Sequence, residues 1–342
     1  MIRVGFIGTG GISPAHLKYL QKRRDVKIVA LCDINREQAL KRRKEFGGEA
    51  FTDFNEMLDA AKPDAVWICT PPSVREGPLL ACADRKIPVF CEKPVERNEE
   101  RAKRIAAALQ KRRAKVQIGY VFRSIPLVGI LRRIISLDRI HLIHSFYGCD
   151  VSLSMGLPKW FYDKAKSGGA LIDQATHNLD LLRCLFGEVS EARGVANNPV
   201  KKKKPGYTID ETIALILRFR NGVTAVHEHS WVADRWRNEI TLSGEKNLYR
   251  IDLNAGRLTS DKPVSADCNL YAGKKGKAAA KNIPLQFRQD SRSIYEYQND
   301  VFLKQVKTGD WSANPSDYAD GLKSLQLTLA CDSALTRGAV KV

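Results

Sequence analysis

The sequence contains no CxxC pair: its eight cysteines stand apart at positions 32, 69, 82, 91, 149, 184, 268 and 331. That spacing argues against a zinc site and against a disulfide framework, and no other metal site is expected. Cys32, Cys69 and Cys91 sit in strand-like apolar runs, where a thiol is simply a small hydrophobe, so the expected compartment is a reducing cytoplasm. No apolar run approaches the ~20 residues that span a bilayer, which excludes a helical membrane protein. Met1 leads at once into a core-like strand, so no signal peptide is expected. Internal repeats are absent as well.

What is abundant is positive charge. The 342 residues carry a formal net charge of +18, with 44% hydrophobic and 27% charged side chains, a globular rather than disordered composition. Basic clusters occur at "LKRRKEF", "QKRRAK", "PVKKKKPG" and "GKKGKAAAK". They show no aromatic interleaving and no nucleic-acid-binding motif, so they read as solvated faces, and no specific nucleic acid or membrane partner is expected. A field that draws in anionic cofactors or acidic substrates is the alternative.

Residues 1–120 alternate short strands with amphipathic helices. Strands are predicted at Ile2–Ile7, Val26–Cys32, around Ala50-Phe51, and at Ala65–Cys69, Pro88–Cys91 and Lys115–Gly119. Short, nearly continuous apolar strands separated by helices imply a parallel sheet covered on both faces, the doubly wound dinucleotide-binding plan. Residues 121–342 follow another rhythm. A helical "PLVGILRRII" precedes alternating strands in "RIHLIHSFYG", "ETIALILRF", "GVTAVHEHSW", "RNEITLSG" and "NLYRIDL". Asn221-Gly222 between two of them is a hairpin signal. This half is therefore expected to be an α+β domain with an open, mainly antiparallel sheet. Residues 255–290 read as irregular, and helices return in "YEYQNDVFLKQVKTG" and "DYADGLKSLQLTLACDSAL".

Within the first domain, "GFIGTGGIS" ends a strand and opens a helix. Gly8 permits the tight turn, Gly10 lets the backbone approach a pyrophosphate, and the N–H groups of the Gly8–Ile12 turn (Thr9 and Gly11 included) can hold the anion. Ser13 occupies the third glycine position and is small enough for close packing. The next strand ends in Asp33, where a carboxylate can accept hydrogen bonds from the ribose hydroxyls. Its alternative role is an N-cap for the following helix. NAD is thus the expected cofactor, with NADP open because Arg36 stands close by.

Two further groups carry potential chemistry. Cys91-Glu92-Lys93-Pro94 follows the fifth strand, at the sheet edge where ligands bind, and its lysine can approach a nicotinamide and a substrate carbon. Farther on, "SGGALIDQATHNLDLLRCLFG" read as a helix puts Asp173 and His177 on one face, with Asp180 a turn beyond. A carboxylate and an imidazole so placed suit proton transfer; the alternatives are a buried polar pair that packs one domain on the other and, for the Glu92-Lys93-Pro94 triplet, an exposed turn.

In "GFIGTGGIS", "CDIN", "ICTPPS", "CEKP", "IGYVFR" and "WFYDKAKSGGALIDQATHNLDLLRCLFG", in order along nearly the whole chain, the sequence resembles the Gfo/Idh/MocA oxidoreductases. The resemblance implies a Rossmann domain plus an α/β domain whose sheet makes homodimer or homotetramer contacts. It implies Lys93, Asp173 and His177 as the residues lining the reacting carbon, and a cis Lys93-Pro94 bond. It also implies Thr70, Pro71, Glu92 and Lys93 on the cofactor, with Arg123, Trp160 and Tyr162 as weaker pocket candidates. The chain departs from the pattern at Arg75, where histidine is usual, and at Gln174, where glycine is frequent; neither departure is expected to touch the proton-transfer set, but both could alter the substrate pocket. The implied reaction is reversible hydride transfer between nicotinamide and a secondary alcohol or ketone of a sugar, cyclitol or related polyol. Two alternatives stay open: an NAD-dependent glycoside hydrolase working by transient oxidation and elimination, and a non-catalytic NAD-sensing regulator.

Overall fold

The computed structural model describes residues 1–151, 159–198, 206–264 and 284–342. The chain divides into two units, Met1–Ser124 with Arg292–Leu325, and Ile125–Ser291 with Gln326–Val342.

The first unit is built on six strands, β1 (Ile2–Ile7), β2 (Val26–Cys32), β3 (Glu49–Phe51), β4 (Ala65–Ile68), β5 (Val89–Cys91) and β6 (Val116–Ile118). They form one parallel sheet in the order β3-β2-β1-β4-β5-β6. β4 and β5 are buried along their whole length, which explains their unbroken apolar runs. The connecting helices are α1 (Ser13–Gln21), α2 (Arg36–Phe46), α3 (Phe54–Ala61), α4 (Glu76–Asp84) and α5 (Glu99–Lys111). Asn35, Asp53 and Asn98 cap α2, α3 and α5 by accepting main-chain N–H groups of the first turn.

The sequence reading ends this domain at residue 120. In the structure Arg292–Leu325 belongs to the same unit. Ser293 and Glu296 form a capping box that starts the helix Ile294–Thr308. That helix places Phe302 edge-on against Trp67 at 4.9 Å, while Phe6 stacks on the same indole at 5.6 Å. Phe302 and Leu303 thus share one buried cluster with Leu17, Leu20, Val4 and Phe90.

The second unit starts with α6 (Pro126–Leu137) and β7 (Ile140–Asp150), followed by the single turn α7 (Lys164–Ser167) and α8 (Thr176–Phe186). Then come β8 (Val189–Asn197), β9 (Thr212–Phe219), β10 (Thr224–Ser230), β11 (Val232–Gly244), β12 (Leu248–Asp252), β13 (Arg257–Pro263) and β14 (Pro284–Arg288). The helix Ile294–Thr308 is α9, Tyr318–Arg337 is α10, and β15 (Val340–Lys341) closes the chain. The nine-stranded sheet runs β14-β13-β12-β11-β7-β10-β9-β8-β15. Among the described residues only the β7–β10 pair is parallel; the other pairs are antiparallel. β9 and β10 are joined at Asn221-Gly222, with Gly222 at φ +91°. Their strict burial alternation marks one covered and one open face. The region read as irregular, 255–290, contains β13 and β14; its residues 265–283, which include "GKKGKAAAK", lie outside the described residues, as does most of "PVKKKKPG".

Candidate active site

Gly8 sits at φ +86°, and a Cβ there would lie 2.7 Å from the Thr70 main-chain nitrogen, so no other residue serves at this position. Gly10 and Gly11 are different: a Cβ at either would meet nothing within 4 Å. The open space beside them is what an approaching phosphate needs and what a purely structural corner does not. Ser13 is buried and donates to the Gly10 carbonyl at 2.9 Å, closing the turn in place of the third glycine. Ile12 leads into α1, with Pro14 in its first turn.

Thr9 points inward. Its main-chain N–H and its hydroxyl both donate to Asp33 Oδ2, at 2.8 and 3.0 Å, while Asn35 N–H donates to Oδ1 at 3.0 Å. Gln38 Nε2 and Arg42 Nε donate to the Thr9 carbonyl at 2.7 and 3.1 Å. Asp33 therefore does not cap α2; Asn35 does. Arg36 is exposed on the first turn of α2. The roles of Gln38 and Arg42 were missed in the sequence, although their i, i+4 spacing on a helix beginning beside Asp33 is a usable signal. Across the turn, Pro71 leads into a single 3₁₀ turn, and the buried Thr70 Oγ1 has no hydrogen-bond partner among the described residues. Open glycines, an orphaned hydroxyl and a carboxylate at the end of β2 fit a dinucleotide.

Lys93 follows β5, and its bond to Pro94 is cis. Arg75 organises this turn. Its guanidinium donates to the Thr70 carbonyl at 2.7 and 2.9 Å, to the Lys93 carbonyl at 3.4 Å, and to the carbonyls of Glu92 and Pro94. The expectation that Arg75 stays clear of the proton-transfer residues is thus corrected: it is buried and holds the main chain on both sides of Lys93. Glu92 is buried too. Its Oε1 lies 2.9 Å from His16 Nε2 and its Oε2 accepts the Lys93 N–H at 3.2 Å. Burial pushes its carboxyl up, but the His16 hydrogen bond and the charges of His16, Lys93 and Arg75 outweigh this and leave it below the ordinary value. The sequence reading did not single out His16.

In the second unit the expected continuous α-helix is instead a π turn, Leu171–Ala175, running into α8. Asp173 and His177 keep partial access to solvent, and every other residue from 171 to 180, Asp180 included, is buried. The reason lies beneath them. Gln174 Oε1 accepts the Trp231 indole N–H at 2.7 Å and faces Cys149, while Asn178 bonds Ser145 and Asn238. Gln174 is therefore packed into the sheet.

The remaining candidates are placed as follows. Arg123 is buried, donates to the Pro315 carbonyl at 2.8 Å and pairs with Asp320. Tyr162 stacks on Tyr207 with ring centroids 5.5 Å apart. Trp160 belongs to the short turn Lys159–Tyr162, and its side chain lies outside what is described.

Residues 2–120 match the GFO_IDH_MocA oxidoreductase family, NAD-binding Rossmann fold, and residues 135–250 match the GFO/IDH/MocA C-terminal domain. The chain belongs to the Gfo/Idh/MocA family. It is an oxidoreductase with an NAD-binding Rossmann fold. A myo-inositol 2-dehydrogenase of Thermotoga maritima is 24% identical over 340 residues, spanning 98% of this chain and 96% of its own. An inositol 2-dehydrogenase of Rhizobium meliloti is 27% identical over 330 residues, 95% and 94% of the two chains. A levoglucosan dehydrogenase solved with NADH and levoglucosan superposes with a TM-score of 0.80 at 21% identity, covering 100% of this chain and 99% of the other. At that identity the last comparison speaks to the fold alone.

Proposed function

We propose that this Gfo/Idh/MocA oxidoreductase interconverts a secondary alcohol and a ketone on a cyclitol or sugar, with Lys93, Asp173 and His177 as its proton-transfer set. Bound NAD supplies the hydride acceptor. The Gly8–Ile12 turn and Asp33 would hold its pyrophosphate and ribose, with Thr70 at the sheet edge. As the C–H bond breaks, the alcohol must also lose its hydroxyl proton, and Lys93 Nζ receives it. His177 holds the same hydroxyl and passes the proton on, and Asp173 orients that imidazole. The observation that carries this reading is the presence of one device in each unit. One fixes the Lys93 main chain by its neighbours' carbonyls, and the other leaves Asp173 and His177 accessible on an otherwise buried helix.

The open sheet face leaves Leu142, Val195 and Ile216 exposed, which supports a homo-oligomer assembled through this sheet. Buried free thiols at Cys32, Cys69, Cys82, Cys91, Cys149 and Cys331 support a cytoplasmic setting. The deciding experiment incubates the protein with NAD and a panel of cyclitols, sugars and glycosides. It follows both reduced-nicotinamide absorbance and released aglycone. Stoichiometric reduced nicotinamide with a cyclitol or free sugar is the expected result; aglycone release without it would replace this reading by a hydrolase, and neither signal by a sensor.

A further inference from the structure

A buried chain of polar groups in the first unit has no part in the proton-transfer set, yet it ends on Lys93. It begins at Trp67, whose indole N–H can only donate. That group donates to Asn299 Oδ1 at 2.9 Å, and Asn299 Nδ2 donates to the Tyr295 carbonyl at 2.8 Å. The two bonds together fix which end of the amide is oxygen. His16 Nδ1 faces the same oxygen at 3.1 Å, so Nδ1 must carry a proton. Nε2 then faces Glu92 Oε1 at 2.9 Å, and a bond there requires one further proton between the two atoms. The other Glu92 oxygen accepts the Lys93 main-chain N–H at 3.2 Å. His16 is fully enclosed, with Phe90 and Tyr295 rings at 5.0 and 5.8 Å. Gly119 leaves room for the carboxyl: a Cβ at this position would lie 3.3 Å from Glu92 Oε2.

We propose that His16 is a positioning residue for Lys93: its ring, oriented by Asn299 and Trp67, holds the Glu92 carboxyl that receives the Lys93 N–H. A buried imidazole between two acceptors is costly unless both bonds are made. Its placement on α1, one turn past Ser13, links the helix that follows the glycine turn to the lysine at the end of β5. Arg75 holds the carbonyl side of this turn and His16, through Glu92, the N–H side, so the Lys93 main chain is held from both sides.

The inference rests on Lys93 being the catalytic group, and the test separates the two. Glutamine at position 16 can place an amide donor where His16 has Nε2; asparagine can reach only where it has Nδ1. His16→Gln should therefore keep kcat within about fivefold of the parent, while His16→Asn lowers kcat on the order of 10- to 100-fold through misplacement of Lys93. NAD Kd should stay within about threefold in both, since His16 meets neither the glycine turn nor Asp33. A residue that merely fills the core would treat the two substitutions alike, and equal kcat values for the two variants overturn the proposal. Lys93→Met run alongside reports on the functional reading: near-parent turnover there sinks that reading, whereas an inactive Lys93→Met beside a fully active His16→Asn sinks only the role of His16. Activity is not the sole readout. With six histidines in the chain, ¹⁵N-histidine NMR of the protein without cofactor, assigned by loss of a signal in His16→Gln, should show Nδ1 of His16 bearing a proton. An unprotonated Nδ1 overturns the hydrogen-bond order on which the proposal stands.

Discussion

Thr9 and Asp33 are bonded twice: one carboxylate oxygen takes both the main-chain N–H and the hydroxyl of the threonine. In the proposed site, the carboxylate that would face the ribose therefore also fixes the turn that would hold the pyrophosphate. Asp33→Ala removes both functions at once. Losing a charge-assisted hydrogen bond costs roughly 1.5–3 kcal/mol, so NAD Kd should rise at least ~tenfold. Thr9→Val, which keeps the main-chain bond, should raise it by less. Fluorescence titration checks both, and the same titration should show the unmutated protein binding NADP more weakly than NAD, because a 2′-phosphate meets the Asp33 charge.

Lys93→Ala should lower kcat by at least ~100-fold, within the range typical of general acid–base groups. NAD affinity should change little, since the proposed pyrophosphate and ribose contacts lie elsewhere. His177→Ala should behave alike, and the double variant should be little worse than either single one, because groups acting as a unit are not additive. Steady-state kinetics with cofactor titration reads all of this. A folded, NAD-binding Lys93→Ala protein turning over at the parent rate would end the assignment.

Arg75 serves the carbonyls of Thr70, Glu92 and Pro94 from a buried position. Arg75→Met leaves these acceptors without their donor. Each unmet buried acceptor costs about 1–3 kcal/mol, so a loss of roughly 3 kcal/mol or more is expected. By the usual scaling, for unfolding of the first unit, this is a Tm drop on the order of 6–12 °C. Calorimetry or thermal circular dichroism would show it, and an unchanged Tm would mean the carbonyls find other donors.

Two buried histidines make stability fall in mild acid. Burial lowers His227 to about 4, with the His144 charge adding to the effect. His229 is held well below the usual histidine value by burial first and by His227 second. In the unfolded chain both take up a proton near pH 6.5. Below that pH the unfolded state binds protons the native state refuses, so unfolding becomes easier as pH falls. Their contribution is complete above about pH 6.5 and is lost from there downward; for His227 the loss is about 3 kcal/mol by pH 4. Neither ring nitrogen of His229 has a hydrogen-bond partner among the described residues, so phenylalanine can replace it. In urea titrations between pH 6.5 and 4.5, the midpoint of His229→Phe should fall less than that of the parent. Parallel curves would contradict the account.

Much of the molecule is legible in the chain because its signals are local. A parallel strand covered on both faces must be apolar throughout, so "IRVGFI" and "VKIVALC" announce themselves. Gly8 is demanded by a backbone angle that only glycine adopts easily, and the spacing of Asp173 and His177 keeps both on the accessible side even though a π turn replaces the expected α turn. β8 ("VSEARGVAN") escaped notice because it is covered on one face only and carries charge on the other. Tertiary structure alone decided the rest. Arg292–Leu325 rejoins the first unit because Phe302 and Leu303 complete a core begun by Phe6 and Leu17. Arg75 and Gln174, oddities in the sequence, take their meaning from the carbonyls and the indole that the fold sets in front of them. His16 meets Asn299 across 283 positions of chain. Hydrophobic period and turn chemistry are written residue by residue. Which donor meets which buried acceptor is settled only when distant segments are packed together and water is excluded.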